Sequence, residues 1–148
     1  MDSALSMIGL ALRAGRLAAG EDPAGEACRE KRSRLLLTAS DASENTLRRA
    51  ERFTREGECL SLALPYTKAE LGEALGRGSC AIAAVTDLGL ARAIAEKLGE
   101  GYSETAEKLR LKAQRAAQRR EKRESERKGS GPDEYNRRKN RKKKAYTP

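Results

Sequence analysis

The chain of 148 residues contains no histidine and no tryptophan. The missing histidine excludes Ser-His-Asp and Cys-His catalysis and the usual zinc sites. Carboxylate, lysine or thiolate chemistry stays open. Aromatic residues are scarce, with one Phe and four Tyr. A core must therefore be assembled from Leu, Ile, Val and Ala. The cysteines Cys28, Cys59 and Cys80 are odd in number and widely spaced. That is neither a disulfide framework nor a metal-finger pattern. Each stands in an apolar setting, so the expectation is three small buried hydrophobes. No apolar run reaches the roughly 18 residues of a membrane span. Met1-Asp2-Ser3 lacks the basic start of a signal peptide. A soluble, cytoplasmic protein without a membrane partner is expected. No spacing implies a metal or a cofactor.

What the chain has in excess is positive charge, and that charge is unevenly placed. Residues 1–101 carry 14 Lys+Arg and 15 Asp+Glu; residues 102–148 carry 17 and 7. The net charge of +9 thus belongs to the C-terminal third. A basic tail on a near-neutral body suits a nucleic-acid partner, or else serves only to keep the chain in solution.

The body reads as alternating helices and strands. Asp2 or Ser3 can cap a first helix with Leu5, Ile8 and Leu12 on one face, and Gly15 can stop it. Leu17-Ala18-Ala19 is a very short strand ended by Gly20. Glu21, Asp22 and Pro23 open a second helix, to about Arg32, since acids and proline favour a first turn. Residues 34–39 read as a strand, 44–56 as a helix stopped by Gly57, and 59–64 as a strand closed by Pro65. Thr67 and Glu70 form a capping box for a helix over 68–75. Gly76 and Gly78 end it. Residues 80–85 make the last strand, and Thr86-Asp87 caps a helix to Leu98. The alternation predicts an α/β fold, a three-layer α/β/α sandwich with a small mixed sheet whose apolar strands are buried on both faces.

The run LLLTASDASENT turns from apolar to polar at Ala39. Asp41 with Glu44 fits a helix start, with Ser43 as a rival cap. The cluster also stands at a strand's carboxyl end, where α/β sheets place ligands. A small enzyme using Asp41 and Asp87 is therefore an alternative. Two capping aspartates explain the same positions without chemistry.

Four blocks, GLALRAGRLAAGED, LLLTASDASENT, LPYTKAELGEALG and AIAAVTDLGLARAI, stand in this order over about residues 3–98. Together they resemble the kink-turn RNA-binding superfamily named after ribosomal protein L-seven-Ae, and within it the small bacterial ribosomal-protein-like branch. The resemblance implies the α/β/α sandwich, no enzymatic activity, and binding of sharply bent RNA. It implies contacts from Gly20, Glu21 and Asp22 at the start of the second helix, and from Thr86, Asp87, Leu88 and Gly89 before the last one. A helix N-terminus offers free N–H donors to phosphates and base edges, and carboxylates accept from base amino groups. Where strong binders of that superfamily carry Asn, Glu and Lys, this chain has Asp22, Pro23 and Glu26. Arg13, Arg16, Lys31 and Arg34 would compensate for the lost cation if they share a face. A protein-interaction domain of the same fold, with RNA recognition lost, is a further alternative.

Residues 102–128 are rich in helix formers and favour a charged solvated helix, with Glu104 and Lys108 as an i,i+4 pair. Gly129-Ser130-Gly131-Pro132 reads as a break. Beyond it, Arg137, Arg138, Lys139, Arg141, Lys142, Lys143 and Lys144 form a basic arm expected to be disordered and to neutralise RNA phosphates. Tyr135 and Tyr146 stand near it. The domain layout is thus 1–101, 102–128 and 129–148. The expected partners are structured RNA, such as ribosomal RNA, and ribosomal or translation-factor proteins. The chain is expected to be a monomer.

Overall fold

A computed structural model describes residues 2–129. Its elements are α1 (Ser3–Arg13), β1 (Leu17–Ala19), α2 (Glu21–Arg29), β2 (Leu35–Thr38), α3 (Glu44–Gly57), β3 (Leu60–Ala63), α4 (Lys68–Ala74), β4 (Ile82–Val85), α5 (Leu88–Leu98), a 3-10 turn (Glu100–Tyr102) and α6 (Ser103–Gly129).

The strands form one mixed sheet in the order β1-β4-β2-β3. β4 runs antiparallel to both neighbours, with Leu17 and Leu35 each opposite Val85. β2 and β3 are parallel, Leu35 opposite Leu60. Alternate residues of a strand face opposite sides, and this divides the core in two. Leu35, Leu37, Ala83 and Val85 join Ile8 of α1, Leu71 of α4, and Ile94 of α5 on one side. Leu36, Ile82 and Ala84 join Ala24, Ala27 and Cys28 of α2 and Ala50 and Phe53 of α3 on the other. The molecule is the α/β/α sandwich that the alternation of elements predicts. β2 and β4 are buried throughout, whereas β3, at the sheet edge, exposes Ser61 and Ala63.

Local signals set most of the helix ends. Asp2 accepts from the N–H of Ala4 at 2.8 Å, Thr67 and Glu70 complete a capping box, and Asp87 accepts from the N–H of Leu90 at 2.8 Å. Two expectations need correction. Ser43, not Asp41, caps α3; Asp41 instead accepts from the N–H of Lys68 at 2.7 Å, at the start of α4. Gly57 does not stop α3 but is its last residue, and Glu58 takes the left-handed turn at φ 50°. Gly57 is needed for a different reason. A Cβ there would stand 2.9 Å from the backbone oxygen of Cys28, so α2 and α3 meet too closely for any side chain.

The chain divides into two compact units. The first runs to Leu111, past residue 101 where composition draws the boundary, because Leu109 of α6 is fully buried in the larger cluster. The second, from Lys112, is described to Gly129 as the distal part of α6; none of residues 112–127 is buried. In the first unit Lys108 pairs with Glu104 at 3.2 Å, as the i,i+4 spacing predicts. The expected basic arm, Arg137 to Lys144, lies outside the described residues. Among the described residues no helix is long and apolar enough to cross a membrane.

Candidate nucleic-acid interface

β1 delivers the chain to Gly20, whose N–H still donates to Ile82 in β4 at 2.9 Å. Gly20 then turns at φ 101°, ψ 163°, a conformation that is practically glycine-only. Its carbonyl accepts from the N–H of Ala24, the first hydrogen bond of α2. Glycine has no side chain to cap the helix, and among the described residues none from elsewhere does so. The N–H groups of Glu21 and Asp22 therefore have no acceptor within the helix, and Pro23, the third residue, has no N–H at all. This is a helix N-terminus with its donors left over.

Two side-chain systems frame it. Glu21 accepts from the Thr46 hydroxyl at 2.9 Å and forms an ion pair with Arg49, tying α2 to α3. The Thr46 hydroxyl accepts in turn from Ser43 at 3.0 Å. The charge of Glu21 is thus matched inside the protein, while Asp22 and Glu26 are exposed. On the other flank, Arg77 donates through Nη1 to the Ala19 carbonyl at 3.4 Å. The same nitrogen lies 3.7 Å from where a Cβ on Gly20 would be. Arg77 stands in the turn between α4 and β4, after Gly76 at φ 71°, and is exposed. It brings a cation to the α2 start that Glu26 cannot supply.

The expected second contact lies elsewhere. β4 runs antiparallel to β1, so the end of β4 is beside the start of β1 and away from Gly20. Thr86, Asp87, Leu88 and Gly89 are accordingly a strand length, about 13 Å, from Gly20. Arg16 and Arg34 share their end of the sheet: Thr86 donates to the Arg16 carbonyl at 2.9 Å, and Arg34 donates to that of Val85 at 2.7 Å. Lys31 sits at the C-terminal end of α2, donating to the Glu56 carbonyl at 2.6 Å and pairing with Glu58 at 3.6 Å. Arg13 is on α1, beside a cavity of about 460 Å³ lined by Leu5, Gly9, Leu12, Glu73 and Ala74. None of these four basic residues stands at the start of α2.

The pairing of Asp41 with Asp87, on which the enzyme alternative rests, fails on the same topology. Asp41 follows β2 and Asp87 follows β4, and the two strands are antiparallel. The carboxylates are at opposite ends of the sheet, each holding a backbone N–H of a helix start. They cannot act as a pair. Of the cysteines, Cys28 and Cys80 are buried, but Cys59 is only half-buried. Hydrogen bonding to Cys59, then burial, push the Cys28 thiol well above its ordinary value, so it remains protonated.

Arg77, Thr46 and Arg49 were not expected at the site. Arg77 had one local signal, its position in a glycine-flanked turn. The other two are ordinary helix residues until the topology brings α3 beside α2.

No protein-family profile matches the chain. The RNA-binding protein YlxQ of Bacillus subtilis is 37% identical over 89 residues, covering 57% of this chain and 84% of the relative. This chain belongs to the YlxQ family. The YlxQ protein of Enterococcus faecium is 33% identical over 76 residues, covering 50% of this chain and 71% of the relative. Among solved structures, a Bacillus halodurans protein of unknown function superposes with a TM-score of 0.61 at 26% identity, covering 68% of this chain and all of that one. The Giardia lamblia 15.5kD RNA binding protein superposes with a TM-score of 0.54 at 16% identity, covering 71% and 85%; at that identity the likeness is one of fold. The YlxQ family and this fold together place the chain in the superfamily of ribosomal protein L-seven-Ae.

Proposed function

We propose that the chain is a non-enzymatic RNA-binding protein of the small ribosomal-protein-like kind, which recognises structured, sharply bent RNA. The observation that carries this reading is the uncapped start of α2 at Gly20 with the Arg77 guanidinium beside it. Free N–H groups, a helix dipole and an exposed cation suit a phosphate and adjoining base edges. The names of the YlxQ relatives support RNA as the ligand. Glu21, held by Thr46 and Arg49, sets the orientation of α2 and is not itself the contact. Residues 112–129 and the basic arm add phosphate contacts with little sequence preference. The protein works as a monomer in the cytoplasm, on ribosomal or similarly folded RNA, near ribosomal or translation-factor proteins.

Binding of the full chain to an internally looped, bent RNA and to a plain duplex of equal length tests this. The looped RNA should bind more tightly, and Arg77→Gln should weaken that preference severalfold while leaving duplex binding nearly unchanged. Equal affinity for both RNAs would refute shape recognition. It would favour the second reading, which the exposed acids Asp22 and Glu26 support: a protein-interaction domain of this fold with RNA recognition lost. Turnover of any substrate that disappears with Asp41→Ala or Asp87→Ala would restore the enzyme.

A further inference from the structure

The sheet end away from Gly20 carries a feature that the α2 site does not use. Arg16 and Arg34 precede the two strands flanking β4, and hydrogen bonds to Thr86 and Val85 hold their backbones on either side of the β4 end. Leu17 and Leu35, the residues that follow them, both enter the larger core cluster. Alternation therefore turns Arg16 and Arg34 to the opposite side, that of α2 and α3. Two strand spacings separate their backbones, about 10 Å.

Both arginines are exposed, and neither makes an ion pair or side-chain hydrogen bond among the described residues. Their neighbours differ. Lys31 is held by Glu58 and the Glu56 carbonyl, and Arg32 by Glu30 at 2.6 Å. Glu56 faces Arg52 at 3.9 Å. Asp87, the nearest acid in sequence to Thr86, is bound to the N–H of Leu90. Glu30, Glu56, Glu58 and Asp87 are thus matched, and the Arg16 and Arg34 guanidinium groups are left over among the described residues. Among the described residues the large exposed apolar side chains, Leu10, Leu47 and Leu111, belong to α1, α3 and α6, so this surface offers charge and not grease.

We propose that Arg16 and Arg34 form a second phosphate-binding surface, which holds the backbone of an RNA segment other than the one at Gly20. Guanidinium groups remain charged at any working pH and match phosphate geometry with two parallel donors. One protein then grips RNA at both ends of its sheet, about 13 Å apart along β4. This rests on the RNA-binding reading above.

The test uses the full chain, an internally looped RNA carrying a long flanking duplex, and a plain duplex of equal length. Arg16→Gln, Arg34→Gln and their double variant are compared with Lys97→Gln, which removes one exposed charge from the last turn of α5. Affinity is measured at several salt concentrations, with circular dichroism confirming the fold. Each arginine variant should reduce the slope of log affinity against log salt by about one, and the double variant by about two. Lys97→Gln should leave the slope unchanged, and the preference for looped RNA should survive in all four. Slopes equal to the parent's, or an equal effect from Lys97→Gln, would overturn the second surface alone. So would loss of binding to an acidic peptide with RNA slopes intact, which would mark a protein-binding patch. A parent chain that binds neither RNA would overturn the RNA-binding reading as well.

Discussion

The two sides of the sheet are packed on different terms. On one, α1, α4, α5 and the start of α6 fill space with Leu and Ile, and Leu109 closes the layer. On the other, α2 and α3 press Ala24, Ala27, Cys28 and Ala50 against the strands, with Phe53 as the single large side chain. Gly25 and Gly57 allow this: a Cβ on Gly25 would fall 2.7 Å from the Phe53 ring, and one on Gly57 would meet the Cys28 backbone. The thick layer has one such approach between helices, where a Cβ on Gly9 of α1 would stand 2.9 Å from the Ala74 oxygen of α4, but sets it among bulky side chains. The thin layer is held at backbone distance, and it carries the proposed RNA site. Its stiffness is what keeps the free N–H groups of α2 at a set place.

Phe53→Ala should break this contrast most severely. It removes the one large residue of the thin layer, and a loss of about 3–5 kcal/mol is expected by denaturant titration. Bent-RNA preference should fall in the protein that remains folded, because α2 loses its support. Leu109→Ala, in the thick layer, should cost about 2–5 kcal/mol without changing that preference. By the same argument, truncation after Leu111 should leave a cooperative unfolding transition, and truncation after Gly101 should not. A cooperative, undiminished transition in the shorter piece would show that α6 contributes nothing to the body.

Gly57→Ala comes next, at about 1–3 kcal/mol, since overpacking meets backbone that cannot move aside. Gly25→Ala meets a ring edge instead. Combined with Phe53→Leu, it should cost less than the two single changes added together, a coupling that a double-mutant cycle would measure. Additive losses would mean that the two residues do not touch.

These packing relations show where the sequence could be read and where it could not. The starts of α1, α4 and α5 were legible because donor and acceptor lie two or three residues apart, as with Thr67 and Glu70. The role of Asp41 is not legible locally because its partner, the N–H of Lys68, is 27 residues away. Both glycines of the thin layer looked ordinary, since only the approach of a second helix gives them a task. The candidate site suffered most from strand order. Composition gives no sign that β4 lies between β1 and β2, and that order is what separates Thr86–Gly89 from Gly20 and brings Arg77 beside it.

Smaller effects sharpen the comparison at the helix ends. Asp87→Ala and Ser43→Ala should each cost about 0.5–2 kcal/mol as lost caps, one in each layer. Asp41→Ala should cost a similar amount, through the start of α4 and not of α3. The smallest effect is set by pH. The Tyr66 hydroxyl, then the Ala4 N–H, hold the Asp2 carboxyl below its ordinary value of 3.8. Its folded-state value is depressed, so its contribution is present above 3.8 and fades as pH falls through the lower folded value. Asp2→Asn should therefore flatten stability against pH only below about 4. A flattening near neutrality would assign the effect to another group.

The central position of β4 also governs the order in which the molecule can be made. β1 and β2 do not pair with each other; both wait for β4. Until residue 85 has left the ribosome, a growing chain holds only the parallel β2–β3 pair, with one side of β2 open and β1 unattached. Unpaired strand edges are where chains join wrong partners. A nascent chain arrested before Val85 is therefore sticky, and one extended past it closes its own sheet.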